Sequence, residues 1–335
     1  MKKSTWVIAL LVVVFVASIV AGCGGSSQPA AQQPAKKIVV GFSQVGAESE
    51  WRIAMSKILQ EEFKKQPNME FIFSDAQQKQ ENQLKSIRTF IQQKVDFIVF
   101  APVVQTGWDA VLQETKEAKI PVIVVNRRVT TSTGKPEDYM ITFIGPDNLD
   151  AGRLAAKTMI DKFKDATGTV NVVQLEGTVG ASTAVERKAG FEEIIKGQNK
   201  LKIVKSQSGD YTRAKGKEVM EAFLKSAKAE GLKIDALFAQ SDDMGIGAMQ
   251  AIEEAGLKPG KDIVIVGIDG VKGAFEAMIA GKQAATVENP VDYSIPLFKV
   301  IKDYQDKKEI PKWTKLEFKV YTADVAQKEL PNRKY

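Results

Sequence analysis

The sequence predicts an α/β protein of two similar lobes, each a parallel β-sheet flanked by helices. Three observations carry that expectation. Short β-branched runs recur at roughly 25- to 33-residue spacing, each followed by a helical pattern, which is how βαβ units read in a sequence. The runs fall into an earlier and a later set, so each set can complete its own sheet. The chain has 335 residues, 44% of them apolar, enough for two domains with a core in each.

The early strands are expected at 37–42, 69–74, 96–100 and 121–126, and the later ones at 170–175, 202–206, 235–239 and 263–268. A strand at 140–144 lies between the sets, and 284–287 and 316–321 follow them. The intervening segments carry helical stripes: Trp51, Met55, Ile58, Leu59 and Phe63 share one face, as do Leu84, Ile87 and Ile91. These stripes suit core packing.

Composition narrows the chemistry. There is no His, so imidazole acid/base chemistry and His-ligated zinc cannot be built, and the lone Cys23 forms no disulfide or cysteine cluster within the chain. Net charge is +6, from 47 Lys and Arg against 41 Asp and Glu, and Lys2 and Lys3 supply two of it. The remainder is scattered, unlike the basic stripe with interleaved aromatics of a nucleic-acid binder, so no nucleic-acid partner is expected. A phosphate-binding loop is missing: Gly256 to Asp262 has the wrong spacing and follows a helix. No Gly-x-Gly-x-x-Gly follows the first strand, and Gly177 and Gly180 alone are a weak signal, so no nucleotide cofactor and no metal are expected.

Residues 1–22 read as a signal peptide, with Lys2 and Lys3 before an apolar run from Trp6 to Gly22. Val20-Ala21-Gly22-Cys23 looks like a lipobox, which would make Cys23 a lipidation site; an uncleaved membrane anchor is the alternative, and both export the body. Residues 23–36 have the composition of a flexible tether.

Ligands of open parallel sheets sit beyond the carboxyl ends of the strands. The segments there, 44–52, 126–128, 177–187, 207–213, 241–243 and 269–270, are dense in carboxylates, guanidinium groups, amides and aromatics. Such a mixture suits a neutral polyol, whose hydroxyls need donors and acceptors and whose C–H faces need an apolar platform.

The blocks GFSQVGAESEWR (41–52), QQKQENQ (77–83), APVVQTGWDAVL (101–112), LEGTVGAS (175–182), SQSGDYTRAKGKEVM (206–220) and EAGLKPGKDI (254–263) resemble the periplasmic sugar-binding proteins of ABC importers. The resemblance is to the branch shared with ribose-binding proteins, and within it to the galactofuranose-binding member. It implies a two-lobed periplasmic binding protein fold with three hinge crossings: a first lobe of 37–143 plus 289–320 and a second of 144–288 plus 321–335. It also implies an exported, monomeric receptor that hands a monosaccharide to an ABC importer permease, is held at the membrane by a lipid on Cys23, and performs no catalysis.

Carried over by position, the implied ligand-binding residues are Glu48, Ser49, Glu50, Trp51, Arg52, Asn126 and Arg127 from the first lobe, with Arg187, Tyr211, Ser241 and Asp269 from the second and Glu288 at a hinge. Glu50, Asn126 and Ser241 stand where the galactofuranose pattern has Gly, Asp and Asn, which points to a related pentose or hexose. Rival readings stay open at this level. Trp51 can be core, Trp108 pocket wall or cap support, Arg187 a solvated partner of Glu186 or Glu192, Asp269 a turn former and Asp243 a helix cap or first-turn residue. A membrane sensor as the receptor's partner, or a glycoside-processing enzyme using Glu48, Asp242, Asp269 or Glu288, are the alternative functions.

The lipidation reading carries its own test. Cys23→Ala should release the protein from the membrane fraction, measured by fractionating cells, while ligand affinity is unchanged because the tether lies outside both lobes. Retention of the variant in the membrane would instead favour the uncleaved anchor.

Overall fold

The computed structural model describes residues 36–197, 200–333 and 335. The expected signal segment, Cys23 and all but the last residue of the tether lie outside them.

The first run of elements is β1 (Ile38–Gln44), α1 (Glu50–Lys64), β2 (Met69–Asp75), α2 (Gln80–Gln92), β3 (Phe97–Phe100), α3 (Asp109–Glu117), β4 (Val122–Val125) and β5 (Thr142–Pro146). The second is α4 (Asn148–Lys162), β6 (Val170–Glu176), α5 (Ser182–Lys196), β7 (Leu201–Ser208), α6 (Arg213–Ala229), β8 (Ala236–Ala239), α7 (Asp242–Glu254), β9 (Val264–Asp269), α8 (Lys272–Ile279) and β10 (Ala285–Glu288). The chain then returns through α9 (Ser294–Gln305) and β11 (Trp313–Leu316) and ends with β12 (Lys319–Thr322) and α10 (Ala323–Glu329).

These strands form two six-stranded sheets, ordered β11-β5-β4-β3-β1-β2 and β12-β10-β9-β8-β6-β7. Each pairing is parallel except β10 with β12. β3 (FIVF) and β4 (VIVV) are buried at every position, as parallel strands covered by helices on both faces must be. Two apolar layers sandwich each sheet. Leu297, Val300 and Ile301 of α9 join the layer with Met55 and Leu59 of α1, so α9 belongs to the first lobe.

The chain crosses between lobes three times, and two expected boundaries move. β5 runs to Pro146 in the first sheet, so the first crossing falls at Asp147 and not after 143. The strand expected at 316–321 is two strands: β11 pairs with β5, β12 pairs with β10, and Glu317 and Phe318 form the crossing between them. The cause is divided packing. Trp313 donates its indole N–H to Gly145 O at 2.7 Å in the first lobe, whereas Phe318 and Val320 pack against the second lobe's core. The remaining crossing joins β10 to α9 through residues 289–293.

In the second lobe, helices pack backbone to backbone. A Cβ on Gly152 would lie 2.1 Å from Arg187 O, and one on Gly190 would lie 2.0 Å from Leu149 O, so α4 and α5 touch through these glycines. Gly247 does the same for α7 against Arg213 O, at 2.0 Å. Gly190→Ala is therefore expected to destabilise the protein by about 1–3 kcal/mol through overpacking, measured by denaturant unfolding. An exposed helical glycine would instead gain about 1 kcal/mol from the same change.

Candidate functional site

The site lies between the lobes, at the carboxyl ends of β1, β4, β6, β7 and β9 and the hinge after β10. Its cavity is lined by Glu48, Ser49, Trp51, Arg52, Asn126 and Arg127 from the first lobe and by Thr183, Arg187, Tyr211, Asp269 and Asn289 from the second lobe and hinge. The space left at its centre is about 20 Å³, room for about one water. The polar groups are drawn together around it.

Glu48 follows β1 and sits on the entrance to α1, where Ser49 caps the helix by accepting from Arg52 N at 3.2 Å. That cap turns Arg52 inward. Its guanidinium donates to Glu48 Oε1 at 3.2 Å, Gln44 Oε1 at 3.3 Å and Asn126 Oδ1 at 2.9 Å. Arg127 donates to Val103 O at 3.0 Å and more loosely, at 3.4 Å, to the same Glu48 oxygen. Burial, together with the charge of Arg52, pulls the Arg127 guanidinium down to about 10, which leaves it protonated at neutral pH.

Arg187 faces them from α5. It is fixed by Asn148 Oδ1 at 3.1 Å and by Gln240 O at 2.5 Å, and its longer ion pair to Asp269 spans 3.6 Å. Asn289 also donates to Asp269, at 3.3 Å. Tyr211 lies near both arginines, with Arg127 5.2 Å and Arg187 6.0 Å from its ring centre, and its hydroxyl shares a 2.8 Å hydrogen bond with Thr183. Only Gly177 leaves room for that ring, since a Cβ there would lie 1.9 Å from Tyr211 Cζ.

Three lining residues hold the left-handed backbone that side chains disfavour: Asn126 at φ 63°, Tyr211 at φ 60° and Asp269 at φ 122°. Asn126 and Tyr211 follow β4 and β7, and Asp269 ends β9, so all three stand at strand ends where the chain turns. Asp242 supports the last of these turns. Its carboxylate is fully buried and accepts from Gly270 N at 2.7 Å, Val271 N at 3.3 Å, Thr286 at 2.7 Å and Gln283 at 2.8 Å.

Three expected ligand residues lie elsewhere. Glu50 pairs with Arg213 at 2.5 Å, Ser241 caps α7 by accepting from Met244 N at 3.3 Å, and Glu288 pairs with Arg333 near the chain's end. For two of them the next residue lines the cavity instead: Trp51 follows Glu50 in α1, and Asn289 follows Glu288 at the end of β10. Thr183 and Asn289 line the cavity without having been singled out. Thr183 lies within the 177–187 strand-end segment, so that segment was its signal.

The open alternatives also resolve. Trp51 does both jobs, packing with the first lobe's core while its indole donates to Asn289 O at 2.8 Å. Trp108 is core, its ring tilted against Phe100 at 4.8 Å between centres and its indole donating to Val104 O. Asp243 sits in the first turn of α7 and accepts from Arg213 and from Glu50 N, and Arg128 is held between Phe143 and Trp313, 4.2 Å from each ring. Among the described residues, no group of three or more Cys, Asp or Glu is placed to hold a metal.

Several carboxylates have been lifted by burial: Glu186 to about 7, Asp269 to about 6 and Asp242 to about 8. The native state then keeps protons that the unfolded chain has released, so stability falls as pH rises from about 4.5 through 8. Acidifying from pH 8 to pH 5.5 is expected to raise the melting temperature. Glu186→Gln should remove the part of that slope between about pH 4.5 and 7; a profile that rises with pH over this range contradicts the assignment.

Comparison with known proteins places this geometry. Residues 40–309 match the periplasmic binding protein domain. The chain is 45% identical over 302 residues to the galactofuranose-binding protein YtfQ of Escherichia coli, covering 90% of this chain and 92% of that one. A structure from Mycobacterium smegmatis in complex with β-D-fucofuranose superposes with a TM-score of 0.84 at 46% identity, over 89% of this chain and 95% of that one. The binding component of the arabinose ABC transporter from Shewanella sp. ANA-3, bound to α- and β-L-arabinofuranose, gives 0.83 at 44%, over 88% and 95%.

Proposed function

We propose a function from one premise: the chain belongs to the periplasmic binding protein family, a family of substrate-binding proteins. On that premise this protein captures one monosaccharide in its furanose form outside the cytoplasm and delivers it, chemically unchanged, to an ABC importer permease. It acts as a monomer tethered by a lipid on Cys23. The relatives' ligands, galactofuranose, fucofuranose and arabinofuranose, share the five-membered ring and support that choice.

The observation that carries the reading is a set of buried polar atoms with no hydrogen-bond partner on residues that line the cavity. Glu48 Oε2 and Asn289 Oδ1 can accept, and Arg127 Nε can donate. Sugar hydroxyls both donate and accept, so one ring satisfies all three, and Trp51 and Tyr211 supply apolar faces for its C–H groups. The ring displaces the long contacts, Arg127 to Glu48 and Arg187 to Asp269, while the short ones that anchor each arginine to its own lobe persist. Of the four carboxylates considered for catalysis, Asp242 is engaged by four donors and Glu288 by Arg333. Glu48 and Asp269 each lie beside an arginine at the cavity wall, where their oxygens are placed to accept from a hydroxyl.

Calorimetry against pentoses and hexoses in both ring forms is the test. Saturable 1:1 binding of a furanose without product is expected, and catalytic conversion of labelled sugar contradicts it. Arg127→Ala should weaken binding about ten- to a hundredfold, the cost of a charged hydrogen bond. Arg127 is the cleaner choice of the two arginines, because Glu48 keeps Arg52 when it is removed, whereas loss of Arg187 leaves Asp269 without its cation.

A further inference from the structure

Outside the cavity, one cluster ties the two lobes together without facing the ligand space. Glu50 opens α1 in the first lobe; Arg213 opens α6 and Asp243 lies in the first turn of α7, both in the second. The three form a closed ring. Glu50 N donates across the cleft to Asp243 Oδ2 at 2.8 Å, Arg213 Nε donates to Asp243 Oδ1 at 2.7 Å, and the other end of the same guanidinium meets the Glu50 carboxylate at 2.5 Å. None of the three lines the cavity.

Their burial is unequal. The Asp243 side chain is 3% exposed, whereas Glu50 and Arg213 are 40% and 43% exposed. Asp243 and Arg213 are bound to each other within one lobe, so they remain paired whichever way the lobes stand. Only the Glu50 contacts exist solely when the lobes meet. Its backbone N–H is a contribution that nearly any residue at 50 could make, and its carboxylate is not. That carboxylate also lies at the N-terminus of α1, where the helix dipole stabilises its charge.

We propose that Glu50 is a positioning residue for sugar capture, its carboxylate latching the first lobe to Arg213 and biasing the cleft toward the closed form without touching the sugar. A contact present only in the closed form shifts the open–closed equilibrium by its own free energy, and apparent affinity follows the closed fraction. The latch acts on residence time, since it breaks only when the cleft opens. Because both partners are partly exposed, salt weakens it. The proposal rests on the sugar-binding reading for its purpose, but the latch itself is measurable without sugar.

The test uses Glu50→Gln, which keeps size and removes charge, and Glu50→Lys, which opposes Arg213. Single-molecule energy transfer between dyes on the two lobes gives the closed fraction without ligand, and stopped-flow gives rates for whichever furanose binds. The closed fraction is expected to fall in the order wild type, Gln, Lys. Sugar dissociation should quicken about two- to fivefold for Gln and further for Lys, with association no slower, and 0.5 M salt should bring the wild type toward Gln. A wild-type closed fraction no higher than that of Glu50→Lys overturns the latch. If no sugar binds the wild type, the functional reading fails and the ligand-free comparison still decides the latch.

Discussion

Five charged groups sealed between two lobes set the terms for the rest of the structure. Arg52, Arg127, Arg187, Glu48 and Asp269 all have side chains at most 6% exposed. Each would cost several kcal/mol to bury alone, so each must be paired and further hydrogen-bonded. No single lobe holds the whole set. Arg52, Arg127 and Glu48 come from the ends of β1 and β4 and the start of α1, while Arg187 and Asp269 come from α5 and the end of β9. The sheets bring the strand ends together, and Asn148 of α4 with the carbonyls of Gln240 and Val103, which follow β8 and β3, anchors the guanidinium groups of Arg187 and Arg127.

That constraint explains where the backbone departs from its preferred regions. The left-handed conformations at Asn126, Tyr211 and Asp269 cost about 1–3 kcal/mol each and persist because their surroundings over-determine them. Asn126 is clamped between Arg52 and the Tyr293 hydroxyl, Tyr211 is seated over Gly177, and the turn after Asp269 is tied by Asp242. Asp242 illustrates how a residue can shape a site without entering it. Its four donors fix the backbone of Gly270 and Val271, and so the direction in which Asp269 leaves β9.

The sheets were legible in the sequence because strands buried on both faces read as unbroken β-branched runs, FIVF and VIVV being the plainest. The 316–321 run was legible as β structure but not as two strands, since nothing local records that Leu316 and Val320 serve different sheets. At the site, Glu48, Trp51, Arg52, Asn126, Arg127, Arg187, Tyr211 and Asp269 were readable and line the cavity, as does the capping Ser49. The residues placed elsewhere fail by direction, not by segment. Glu288 and Asn289 occupy one strand end but point to opposite faces, and Ser241 turns its hydroxyl down to cap the helix it precedes. Side-chain direction at an element's end depends on backbone angles that composition does not encode.

Recognition and lobe closure then share parts. Asn289 sits in the crossing between β10 and α9, its carbonyl accepting from Trp51 of the first lobe and its amide donating to Asp269 of the second. Opening the cleft therefore disturbs a hinge residue, an aromatic platform and a cavity carboxylate together. On the far rim the same coupling recurs, with Arg128 N donating to Ser182 at 2.7 Å and Gln105 N donating to Gly180 O at 2.8 Å. Contacts on both rims and at the hinge make closure a joint event. A ligand that pairs Glu48, Arg127 and Asn289 at once adds its free energy to the same closed state that those rim contacts already favour.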